Sequence, residues 1–296
     1  MLLNKKISIG YFISLIKYDL IAIASYAILA GSFDHYWIFA KINIPLAISA
    51  FVGTVLSLLL AFRTSQSYER WWEARTVWGA IVNDSRTLVR QVQQFLPDDH
   101  VGAAYVKKIA EQQIVWCHAL SQSLRKLPWS GLVKDHVDQL HTTTTNLPNH
   151  LLSEHSRLLA KVSKEFSIDP NKQVQIDMTI MRLCDSMGKC ERIKNTVFPR
   201  SYSVLLHFII YVLMSLLPFG LEDNSKLVEV LLTFVIPALF ISIEKTAHLM
   251  QDPFENRPTD TPTTALSLTI ERNLREMSLM DGEIADNDQK GTYYLL

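Results

Sequence analysis

The chain has 296 residues, 48% of them hydrophobic, and its 29 Lys and Arg balance its 29 Asp and Glu. Zero net charge removes any bulk electrostatic case for nucleic acid as a partner. Three cysteines without regular spacing, Cys117, Cys184 and Cys190, exclude a disulfide framework and read as reduced thiols.

The hydrophobic residues crowd into the first 65 positions and into 202–243, the pattern of membrane segments rather than of an evenly spread core. Residues 1–19 read as an amphipathic lead-in, with Ile7, Ile9, Phe12, Ile13 and Ile16 beside Lys5, Lys6 and Lys17. A secreted leader does not fit, because the apolar run continues past Lys17 and Asp19 without a clear small-residue cleavage site. Leu20 to about Ala40 is the first expected span, with Asp34, His35, Tyr36 and Trp37 as an interfacial belt. Lys41–Asn43 is an expected turn, and Ile44–Phe62, uncharged throughout, is the second span. No proline lies between Pro45 and Pro97, so this span is expected to continue unbroken into the polar stretch that starts at Arg63.

Residues 63–201 predict a helical block: a helix to about Leu96, a second over 100–127, a short one near 149–166 and a long one from about 171 to 196. The stretch 128–148, with its HTTTTN run, reads as irregular. Val204–Leu221 and Leu227–Ile243 are the third and fourth spans, the latter containing Pro237, which a membrane helix tolerates. A polar linker, DPFENRPTDTP, leads to an amphipathic helix over about Thr263–Met277 and a tail expected to be disordered. The reading divides the chain at 1–62, 63–201, 202–245 and 246–296. Only Lys41 and Lys226 of the basic residues fall in the two short hairpin loops, whereas Lys17, Arg63, Arg70, Arg200 and Lys245 flank the other side. That asymmetry predicts four spans in the plasma (bacterial inner) membrane with both termini cytoplasmic.

The segments AFRTSQSYERWWEARTVWG (Ala61–Gly79) and SRTLVRQV (Ser85–Val92), then GKCERIKNTVFP (Gly188–Pro199), QDPFENRPTD (Gln251–Asp260) and IERNL (Ile270–Leu274), resemble the bestrophin family of ion channels in its bacterial branch. The resemblance implies an all-α homopentamer with four transmembrane helices per chain, a cytoplasmic helical domain and a central pore for small monovalent ions. Chloride is the family's label, with cation selectivity also conceivable. It places a pore neck on the second span at Thr54, Leu58 and Phe62, whose four-residue spacing puts them on one helix face. Thr54 departs from the family's usual bulky apolar residue. A second, cytoplasmic constriction maps near Asn171, or to Ile168 or Ile176 if the register slips.

Ordinary helix packing is the competing account of the neck residues, and Ser49 and Ser57 compete with them for a wet face. Some family members bind Ca²⁺ after the fourth span. Here only Asp252, Glu255 and Asp260 stand there, interrupted by Arg257 and prolines, a poor set for a cation that wants six to eight oxygens. The aromatic and basic cluster from Tyr68 to Trp78 reads as interfacial packing rather than direct ligand contact, with Glu69 and Glu73 pairing with Arg70, Arg75 or other helices. His207 is an intramembrane titratable group, either a satisfied interhelical histidine or an ion contact. No phosphate loop, HExxH or GxSxG is present, so neither catalysis nor a cofactor is expected. The alternative function is a membrane-anchored helical sensor or scaffold.

Overall fold

The computed structural model describes residues 9–33, 44–140, 144–196, 198–221 and 226–280. The described residues are helical with no strand: α1 Ile9–Phe33, α2 Leu46–Phe95, α3 His100–Leu124, α4 Leu132–Leu140, α5 Leu147–Glu165, α6 Pro170–Asn195, α7 Arg200–Leu216, α8 Lys226–Gln251 and α9 Thr263–Met277. They form two compact units. The described residues of one lie within Lys6–Arg70 and Val197–Gln251, and those of the other within Trp71–Thr196 and Asp252–Leu296. The α2 helix, 50 residues without a break, contributes its first half to the former and its second half to the latter.

The first unit is apolar. Its core joins Ile16 and Ile23 of α1, Leu56 and Leu60 of α2, Leu206, Ile210 and Leu213 of α7 and Ile241 of α8. Among the described residues three helices have the length and hydropathy to cross a membrane: α1 over Ile13–Ser32, α2 and α8. The α7 helix, at 17 residues, falls just short and ends in a 3-10 turn at Pro218–Gly220, earlier than the Leu221 expected. Pro237 stays inside α8, which runs on to Gln251 rather than stopping at Ile243. Nor is the amphipathic lead-in a separate element from Ile9 on. Lys17 and Asp19 sit within α1, Lys17 over the Tyr18 ring at 4.8 Å and Asp19 3.5 Å from Lys245 of α8, so the polar side chains do not interrupt the helix. The expected turn at Lys41–Asn43 and the interfacial residues 34–37 lie outside the described residues, as does the tail from 281.

The second unit buries a separate core around Trp78, Ile81, Leu88 and Val92 of α2, Ile114, Trp116 and Leu120 of α3, Leu151 and Leu159 of α5, and Ile180 and Leu183 of α6. Helix starts follow local chemistry. Asp99 caps α3 by accepting the N–H of Gly102 at 2.7 Å, and Asp169 caps α6 ahead of Pro170 at its first position. The stretch 128–148 is not wholly irregular: α4 occupies Leu132–Leu140, held by fully buried Val133. Part of the HTTTTN run, 141–143, lies outside the described residues.

Candidate functional site

The two sides of α2 differ in their surroundings. Leu56, Leu60, Arg63 and Ser67 are buried, at the three- and four-residue intervals of one helix stripe. Leu58 and Phe62 face outward, 59% and 61% exposed, and Thr54 is exposed on the same face. The Thr54 hydroxyl donates to the Ala50 carbonyl at 2.8 Å. Its hydrogen-bonding group is thereby turned to its own helix, and the methyl remains for the outer face. Ser57 does the same toward Gly53 at 2.8 Å, while Ser49 is buried.

Behind this face the apolar unit holds a charge cluster that sequence reading missed. Arg63 is fully buried and its Nη2 lies 3.3 Å from Glu244 Oε1 on α8. The guanidinium also sits 5.4 Å from the centre of the Phe198 ring. The other Glu244 oxygen is 3.8 Å from His207 Nε2, and His207 Nδ1 donates to the Ser203 carbonyl at 2.9 Å. His207 is therefore an interhelical histidine. The signal that could have found its partner was the lone carboxylate closing the fourth apolar run.

On α6, Asn171 is exposed in the first turn. Ile176 is 2% exposed in the core of its own unit and Ile168 packs against that core. Own-chain packing therefore occupies both isoleucines. The exposed apolar positions are Val174, Met178 and Met181, which share a face with Asn171 at spacings of three, four and three.

The three linker acids are engaged separately. Asp252 accepts from Lys194 at 2.7 Å and from the Phe254 N–H at 3.0 Å, and Glu255 pairs with Arg257. Asp260, fully buried, accepts the N–H groups of Glu255 and Arg257 at 2.7 and 2.9 Å, closing a turn of backbone. Burial pushes its carboxyl up to about 6. Among the described residues no group of three His, Cys, Asp or Glu is placed to hold a metal ion. The thiols are unpaired. Cys117 and Cys190 are buried, which raises each to about 12, and Cys184 is exposed. His118 turns from Cys117 to Glu271, 2.9 Å away.

Around Tyr68–Trp78 the groups are anchored individually. Arg70 Nε donates to the Gln251 carbonyl and Trp71 Nε1 to that of Thr259, each at 2.9 Å. Trp78 is fully buried, and Glu73 pairs with Arg192 rather than with a residue of its own helix. Glu69 is exposed and receives hydrogen bonds from Ser65 Oγ (3.4 Å) and Gln66 Nε2 (3.2 Å).

Helices without a strand among the described residues, three of them apolar and long enough to cross a membrane, define the class: a helical membrane protein. The family model described as Bacterial/Fungal Bestrophin protein matches residues 6–276. The chain belongs to the bestrophin family of ion channels. It is 30% identical over 247 residues to the voltage-dependent anion channel-forming protein RSc3414 of Ralstonia nicotianae, covering 82% of this chain and 80% of that one. It is 29% identical over 241 residues to the voltage-dependent anion channel-forming protein YneE of Escherichia coli K12, covering 80% and 78%. The crystal structure of a bacterial bestrophin homolog from Klebsiella pneumoniae matches with a TM-score of 0.80 and 25% identity, covering 90% of this chain and 100% of that one.

Proposed function

We propose that copies of this chain assemble as a homopentamer around a central pore, and that the assembly conducts small monovalent ions down their gradient. Four spans per chain, α7 being the third, would leave both termini on the cytoplasmic side of the inner membrane. The observation that carries the reading is the outward line Thr54, Leu58 and Phe62 on α2, three side chains left uncovered by their own chain, two of them large and apolar. Five-fold rings of Leu58 and Phe62 make a constriction that opens by wetting rather than by charge. The back-bonded Thr54 hydroxyl keeps that ring methyl-lined, which offsets its departure from the family's bulkier residue. A second constriction fits the α6 face of Asn171, Val174 and Met178, where apolar side chains are free of the core, better than Ile168 or Ile176.

The neck is neutral and has no charge preference of its own. The relatives are named anion channel-forming, which favours chloride by resemblance, while the neutral neck itself admits cations as well. Light scattering of the purified protein in detergent tests the assembly: a mass of five chains supports the pore, whereas a dimer supports a sensor. Single-channel recording in planar bilayers tests conduction, and silence across voltage and pH removes the channel reading.

A further inference from the structure

We propose that Glu69 is a specificity-determining residue that biases permeation toward cations. The proposal rests on the pore reading above and concerns the sign of the ion. Between Phe51 and Arg70, eleven α2 positions are exposed: Phe51, Thr54, Val55, Ser57, Leu58, Ala61, Phe62, Ser65, Gln66, Tyr68 and Glu69. Glu69 alone among them carries a charge, because Arg63 is buried against Glu244.

Its position on the helix is specific. Seven residues after Phe62 is close to two full turns, so Glu69 stands within about 20° of Phe62 around the axis and roughly 10 Å farther along it. Leu58, eleven residues before Glu69, falls within about 20° of it by the same count. Whatever faces Leu58 and Phe62 therefore also faces Glu69.

The carboxylate is held by neutral donors, Ser65 Oγ on one oxygen and Gln66 Nε2 on the other. Among the described residues no Lys, Arg or His lies within ion-pair distance of it. Its negative charge is therefore not cancelled locally. Repeated around an axis, it forms an acidic ring just past the apolar neck. Rings of Asp or Glu concentrate cations and exclude anions at a pore, and low-dielectric walls focus that field. The ring opposes the anion preference carried by the relatives' names.

The test is the reversal potential of the purified full-length protein in a planar bilayer under a KCl gradient. The wild type, Glu69→Gln, Glu69→Lys and Glu69→Asp are compared, with size-exclusion elution as the check on folding. The expected result is a cation-favouring wild type, a cation-to-anion permeability ratio about tenfold lower in Glu69→Gln, inversion in Glu69→Lys and a wild-type value in Glu69→Asp. An anion-favouring wild type overturns the proposal by itself, even if no variant folds. So does an unchanged ratio in a conducting Glu69→Gln. Absence of current from the folded wild type overturns the pore reading, and the role of Glu69 falls with it.

Discussion

Leu58 offers the sharpest test at the residue scale. If its isobutyl group closes the neck, Leu58→Ala widens and wets the ring, and single-channel conductance rises by about twofold or more. An unchanged conductance removes Leu58 from the gate. Glu244 is the second residue to test. Leaving Arg63 buried without its counter-charge costs about 3–5 kcal/mol, so Glu244→Gln should lower the melting temperature in detergent strongly. Replacing Arg63 and Glu244 together by Met and Leu should recover most of that loss, since the penalty comes from the orphaned charge. This pair was not legible in the sequence. Its members are 181 positions apart, and a charge at the end of an apolar run reads as a boundary marker unless its partner is known. The isoleucines of α6 show a related limit. That helix has apolar residues on both faces, Ile176, Ile180 and Leu183 inward and Val174, Met178 and Met181 outward, so composition alone cannot say which face is free.

Elements were easier to read than contacts. The absence of proline from 46 to 96 foretold the unbroken α2, and the starts expected near 100 and 171 fall at His100 of α3 and Pro170 of α6. The α4 helix escaped because it is only nine residues long, with Leu132, Val133 and Val137 set among His, Asp and Lys, and tertiary burial of Val133 decides it. Helix packing within the apolar unit gives a prediction of its own. A methyl group at Gly31 of α1 would meet Val230 Cγ2 of α8 at 2.5 Å, a distance that side chains do not tolerate. Gly31→Ala should force α1 from α8 and cost about 1–3 kcal/mol. Trimming the partner, Val230→Ala, should restore much of the melting temperature in the double variant. Failure of that rescue would show that the two helices are not in the register described.

For the whole molecule, two buried groups of the polar unit act on acid stability in opposite directions. His155 is fully buried with Nε2 unpartnered, and burial lowers it to about 4 from an ordinary 6.5. The unfolded chain takes up that proton first, so this group withdraws stability as pH falls from 6.5 toward 4. Asp260 is raised to about 6 from 3.8, so its folded form gains relative stability on acidification over much of the same range. The two effects oppose each other in the native chain. Between pH 6.5 and 4.5, Asp260→Asn should lose stability and His155→Gln should gain it, each by on the order of 2 kcal/mol in thermal unfolding. Parallel profiles would refute the assignment. The unbroken α2 has a corollary for its backbone. Fifty residues share one hydrogen-bond ladder about 75 Å long, so a proline set in the middle of it would remove a rung and clash with the preceding turn, at about 3 kcal/mol or more.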